Sequence, residues 1–105
     1  MTPDSYRLSQ DANEDLIERA HYLLLNSSER VMLRFVRAAF ATAKSLAVTP
    51  GIGQQCGFAK SHLRGLRQFP VKKFSDWLIL YREMDFGIEV IRIVHAKQDW
   101  RRLIH

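Results

Sequence analysis

The strongest constraint on this chain lies in its last third, from Asp76 to His105. Residues 77–83 read WLILYRE and residues 88–95 read IEVIRIVH, with Asp85-Phe86-Gly87 between them. Two short runs rich in β-branched and aromatic residues around a glycine-containing turn predict an antiparallel hairpin. Side chains alternate between faces along a strand. Alternation puts Trp77, Ile79 and Tyr81 on one face and Leu78, Leu80 and Arg82 on the other. On the second strand it sets Ile88, Val90, Arg92 and Val94 against Glu89, Ile91, Ile93 and His95. Both faces are largely apolar, so the pair belongs inside a sheet covered on at least one side. A lone hairpin is not stable in water, and the first half of the chain must supply what it packs against.

A chain of 105 residues makes one domain, 1–105, with a single modest core. Its apolar content of 47% excludes general disorder, while no apolar run approaches the roughly 20 residues needed to cross a bilayer. The opening MTPDSYRLSQ has no apolar run of the kind a secretory signal carries. One cysteine, Cys56, forms no internal disulfide and no thiolate cluster for zinc, and its loop position makes it incidental. These features predict a cytoplasmic protein without metal, cofactor or membrane. Residues 1–50 hold six Lys/Arg and six Asp/Glu, whereas residues 51–105 hold ten and five. The net charge of +5 therefore belongs to the second half, which suggests an acidic or anionic partner: nucleic acid, an acidic protein segment or an anionic protein surface, the competing reading being a solvated basic face with no partner.

Upstream, Ser5–Leu8 reads as an edge strand. Ser9 or Asp11 caps a helix from about Asp11 to Leu25, with Asp11, Glu14 and Asp15 complementing the dipole of its first turn. Leu16, Ile17, Ala20, Leu23 and Leu24 mark its apolar stripe, with Glu18 and Arg19 off it. Ser27 or Ser28 caps a longer helix, with Met32, Phe35, Val36, Ala39, Phe40, Ala43, Leu46 and Ala47 on the 3.6-residue period, and Arg30, Arg34, Arg37 and Lys44 facing elsewhere. Thr49-Pro50-Gly51 ends it. Residues 51–59, GIGQQCGFA, read as a loop; no strand precedes its glycines and no Lys-Ser/Thr pair follows, which argues against a phosphate loop. His62–Gln68 reads as the first strand of the sheet core, Pro70 ends or edges it, and Asp99 caps a short helix, Trp100–Ile104. The order is βααβββ plus a terminal helical turn. This is an α+β fold, a helical hairpin packed on a mostly antiparallel sheet.

These residues carry a resemblance. YRLSQDANEDL, LAVTPGIG, LRGLRQFPV, WLILYRE, IEVIRIVH and AKQDWRRLI follow one another in an order and spacing that resembles the RelE/ParE toxins of type II toxin-antitoxin systems, with the ParE branch favoured. RelE-like members cleave mRNA on the ribosome with a Lys-x-Lys pair, a strand arginine, and a late basic residue and tyrosine. Anchored on Leu66-Arg67 and Tyr81, the lysine positions become Leu63 and Gly65, the strand arginine becomes Leu78, the late basic position takes Lys97 and the tyrosine falls near Leu103. Phosphodiester cleavage needs a base, a proton donor and cations for the phosphorane, and most of those groups are missing. The resemblance therefore implies a ParE-like toxin that poisons DNA gyrase without catalysis and is neutralised by a small, ParD-like antitoxin. The alternatives are a RelE-like ribosome-dependent mRNA interferase, with Arg67, Arg82, Arg92, His95 and Lys97 as catalytic candidates, and a degenerate non-toxic member.

For the binding reading the target-contacting set is Arg64, Arg67, Arg82, Arg92, Lys97, Trp100, Arg101 and Arg102. Arg64 and Arg67 are expected on the strand before the hairpin, making four arginines on three adjacent strands. The competing reading for Arg82 and Arg92 is pairing with Glu83, Asp85 or Glu89 across the hairpin. For Trp100 it is a core plug. For His95 it is a hydrogen bond to the Asp99 turn.

Overall fold

Serines start both helices. The Ser9 hydroxyl oxygen accepts from the Ala12 N–H at 3.0 Å and that of Ser28 from the Val31 N–H at 3.1 Å, each meeting one of the donors that a first helical turn leaves unpaired. In the computed structural model, which describes residues 4–104, the elements are β1 (Ser5–Leu8), α1 (Gln10–Asn26), α2 (Glu29–Val48), β2 (Gln54–Gln55), β3 (Arg67–Val71), β4 (Phe74–Met84) and β5 (Gly87–His95). Short 3-10 turns occupy Pro50–Ile52, Ser61–Leu63 and Trp100–Leu103. One five-stranded sheet runs in the order β1-β5-β4-β3-β2, with β1 parallel to β5 and every other pair antiparallel.

The sheet is covered on both faces. The helices bury Leu16, Leu23, Phe35, Ala39 and Leu46 against Ile79, Tyr81, Ile88, Val90 and Ile93. On the opposite face Leu80 and Val94 lie under Cys56, Leu63, Leu66 and Trp100, so the loop before β3 and the C-terminal turn form a second, smaller core. The expected stripe of α1 is narrower than its sequence suggests. Ala12, Leu16 and Leu23 are buried, but Ile17 and Leu24 are 59% and 47% exposed. On α2, likewise, Phe40 is 37% exposed while Thr42 is fully buried.

Two strand expectations change, and the one for Pro70 holds. The predicted strand over His62–Gln68 begins only at Arg67, because residues 61–63 form a 3-10 turn and Gly65 takes a positive φ of 84° that no strand accommodates. Pro70 lies inside β3, opposite Leu78, where β2 no longer covers that edge and no N–H is needed. Within the predicted loop 51–59, Gln54 and Gln55 pair with Gln68 and Arg67 as a two-residue strand. The simple alternation along β5 also fails. Leu80 faces Arg92 while Tyr81 faces Val90, so Ile91 is an extra residue, a β-bulge. The bulge switches the phase: Ile93 joins Ile88 and Val90 in the helix-side core, and Val94 joins Leu80 on the other side.

α1 closes the edge of β5 that β1 leaves open. β1 covers β5 only as far as Val90. From there the Ser9 N–H donates to the Val90 carbonyl at 2.9 Å and the Ser9 hydroxyl to the Ile91 carbonyl at 2.7 Å. One turn further on, Asp15 Oδ2 accepts from the Ile93 N–H at 2.9 Å, while the Arg92 guanidinium donates Nε to Oδ2 at 2.8 Å and Nη2 to Oδ1 at 2.9 Å. Both side chains are less than one-fifth exposed, and the two-pronged bond holds the Arg92 pKa above its ordinary value. Replacing Asp15 with Ala removes three hydrogen bonds and leaves a part-buried cation and an N–H unpaired. Asp15→Ala is expected to lower the unfolding free energy by about 2–4 kcal/mol in urea titrations. Asp15→Asn costs less, since its amide oxygen still accepts from Ile93; equal losses in the two variants would mean that the edge closure contributes nothing.

Candidate interaction surface

The face away from the helices is built by the segment between α2 and β3 and by the chain end. After Pro50–Ile52 the backbone passes Tyr81 at Gly53, whose N–H donates to the Tyr81 hydroxyl at 2.9 Å while that hydroxyl donates to the Pro50 carbonyl at 2.7 Å. A Cβ at Gly53 would collide with the Tyr81 ring, 2.8 Å from Cε1. Cys56 then donates its N–H to Leu66, and its side chain is 5% exposed within the second core. It is thus a packed core thiol, not an incidental loop residue. Burial pushes the Cys56 pKa up, against a smaller lowering by Arg101, and burial likewise raises that of Tyr81.

Trp100 is 7% exposed and plugs this core, so its indole is not a free contact surface. Arg101 sits over it, 4.9 Å from the Trp100 ring centre and 5.0 Å from that of Phe58, and donates Nη2 to the Cys56 carbonyl at 2.7 Å. Arg102 is largely exposed and pairs with Asp99 at 3.0 Å. Asp99 makes no side-chain cap to the terminal turn, which is 3-10 over Trp100–Leu103. Lys97 is exposed on the turn after β5.

The arginines do not gather as four on three strands. Arg64 is exposed and lies in the turn before β3, with Nε 3.3 Å from the Ala59 carbonyl. Arg67 opens β3 and donates Nη1 to the Gly53 carbonyl at 2.7 Å, bracing the loop. Arg82 continues the β4 alternation of Leu78 and Leu80, so it belongs to the second face. Its Nε is buried with no partner among the described residues. Arg92 turns instead to α1, as described above. Neither Arg82 nor Arg92 pairs across the hairpin; Glu89, opposite Arg82, bonds Arg7 at 3.0 Å. His95 packs edge-on against Trp77 at 5.2 Å, and its Nδ1 accepts from the Lys97 N–H at 3.1 Å, not from the Asp99 turn.

Sequence reasoning missed a cleft of about 310 Å³ between α1 and the C-terminal turn, bounded by Asp15, Arg19, Tyr22, Trp77, Arg92 and Leu103. Arg19 lies 4.7 Å from the ring centres of both Tyr22 and Trp77, with a buried Nε that has no partner among the described residues. The available signal was the three-residue step from Arg19 to Tyr22, which puts the two on neighbouring positions of one helix face.

A family model described as ParE toxin of type II toxin-antitoxin system, parDE, matches residues 6–100. The chain belongs to the ParE toxin family. A chain of the solved chromosomal ParDE TA system from P. aeruginosa has the same fold, with a TM-score of 0.72 and 17% identity over 89% of this chain and 96% of that one. Curated protein sequences give no significant match. Among the described residues of this ParE chain no helix is long and apolar enough to cross a membrane.

The Tyr81 lock gives a pH signature. The folded state holds the Tyr81 and Cys56 protons more tightly than the unfolded chain, whose ordinary values are near 10.0 and 9.0. Their contribution to stability is therefore complete below about pH 9 and is lost as pH rises through the higher folded values. Tyr81→Phe is expected to cost about 1–3 kcal/mol at pH 7, because the Gly53 N–H and Pro50 carbonyl lose their partner. It should also flatten the decline in stability above pH 10; urea midpoints measured from pH 7 to 11 that fall in parallel for both proteins would assign that decline to other groups.

Proposed function

We propose that this chain is the toxin of a toxin-antitoxin pair, that it arrests growth in the cytoplasm by binding DNA gyrase without cleaving any bond, and that a ParD-like antitoxin neutralises it. The observation that carries the non-catalytic reading is what occupies the places where a RelE-like nuclease would hold its chemistry. Leu63 is 5% exposed in the second core and Leu78 packs against it, while Gly65 makes a left-handed turn. Two of the polar groups that remain nearby are engaged in holding the structure. Tyr81 is fully buried between two backbone groups, and His95 accepts a backbone hydrogen bond that fixes the turn leading to Lys97. A base with its lone pair so occupied is poorly placed to take a proton from a ribose hydroxyl.

The second face keeps the cations needed for docking on a large anionic or polar partner. Arg64, Lys97 and Arg102 are exposed, Arg101 is presented on an aromatic base, and Arg82 lies at the sheet. Such groups steer association and fix register. Arg67 and Arg92 support this surface from below, through the Gly53 carbonyl and Asp15. For the antitoxin, the helical hairpin offers exposed Ile17, Leu24 and Leu25 on α1, and β3 offers the edge that β2 leaves uncovered beyond Gln68. Helix packing and strand addition use such features.

Purified gyrase tests the reading directly. Added protein is expected to abolish supercoiling of relaxed plasmid, and Lys97→Glu combined with Arg102→Glu is expected to raise the concentration required at least about tenfold, equivalent to ~1.4 kcal/mol. A growth-arresting preparation that leaves supercoiling intact and yields codon-spaced mRNA cuts would replace the proposal with the ribosome-dependent nuclease.

A further inference from the structure

A further row of cations lies off the sheet. Along α2, Arg30, Arg34, Arg37 and Lys44 are all exposed. At 100° per residue they fall within an arc of about 80°, in line with Ala41. They form one straight stripe on the side of α2 away from Phe35, Ala39 and Leu46. The β3–β4 turn adds Lys72 and Lys73 beside it. That turn is held against the helix, since the Lys72 N–H donates to the buried Thr42 hydroxyl at 3.1 Å and that hydroxyl donates to the Ala38 carbonyl at 2.7 Å. Lys73 takes a positive φ of 68°, which closes the two-residue connection between Val71 and Phe74.

Helix and turn enclose an open cleft of about 450 Å³ bounded by Arg34, Arg37, Lys72 and Lys73, with Ala38, Ala41 and Phe74 as its floor. No carboxylate lines it, and none of these cations makes a salt bridge among the described residues. Glu29 borders the row beside Arg30 and Arg34, but the four cations around the cleft itself face no carboxylate there; like charges so placed repel one another, and an anion bound there removes that cost.

We infer that this stripe binds the phosphate backbone of duplex DNA. The length of the row favours a phosphate backbone over an acidic protein segment. The row from Arg30 to Lys44 spans about 21 Å, longer than the roughly 12 Å width of the major groove, so its two ends reach phosphates of both strands. Backbone contacts of this kind carry affinity without reading sequence. The inference is independent of the gyrase reading, and it places DNA on a face of the toxin distinct from the Lys97–Arg102 surface.

Fluorescence anisotropy of a labelled 20-base-pair duplex of arbitrary sequence, titrated with the purified full chain between 50 and 200 mM NaCl, tests it without gyrase. If four to six cations engage, the logarithm of the binding constant should fall against that of salt concentration with a slope of about −4 to −5. Arg34→Ala with Arg37→Ala should make that slope shallower by about 2 and weaken binding at 50 mM salt at least tenfold, while the circular dichroism melt stays unchanged because both side chains are exposed. No binding of the folded wild-type chain at 50 mM salt, an unchanged slope in the double variant, or tighter binding of a labelled glutamate-rich peptide than of the duplex would each overturn the inference.

Discussion

A single carboxylate decides how the two halves of this molecule meet. Asp15 stands one turn into α1, where a sequence reading assigns it to the helix dipole, but its two oxygens take three hydrogen bonds from β5. The bulge at Ile91 makes this possible, because it advances the strand by one residue just where β1 stops. Ser9 acts in the same place with one hydroxyl that accepts from the helix and donates to the strand. An open strand edge, ordinarily a template for unwanted pairing, is thereby finished by helix side chains. The Arg92 charge is neutralised in the same step and is withdrawn from the surface.

Much of the architecture is legible in the chain because the signals that carry it are local. Ser9 and Ser28 announce the helix starts, the period of α2 from Phe35 to Ala47 marks its buried side, and Asp85-Phe86-Gly87 marks the hairpin reversal. What was not legible depends on partners far away in sequence. Nothing around Ile91 signals an inserted residue, because the groups that reward it sit at Ser9 and Asp15. The start of β3 was displaced to His62 because HLRGLRQ looks like a strand unless Gly65 is known to be left-handed. Arginine placement suffered most. A long side chain is free to choose among neighbours, and Arg67, Arg92 and Arg101 each chose a carbonyl or carboxylate from another segment. The α2 cations were visible as residues facing away from the stripe, but only the fold brings Lys72 and Lys73 beside them.

The second core gives the protein its divided character. Leu63, Leu66, Leu80 and Trp100 pack together on the face away from the helices and form a base for the C-terminal turn. Arg101 then spans the seam, in contact with Phe58, Trp100 and the Cys56 carbonyl at once. Held at three points, the Arg101 side chain has little conformational freedom left to lose.

The parallel pairing of β1 with β5 has one further consequence. Ser5 aligns with Gly87, and the Ser5 N–H donates to the Phe86 carbonyl; a Cβ at Gly87 would occupy the space of the Ser5 backbone. The first of the described strands thus waits for the last, and this closure is strongly non-local. During translation the finished sheet cannot exist until the hairpin has emerged. Closure of the sheet is thus among the last events that the connectivity permits.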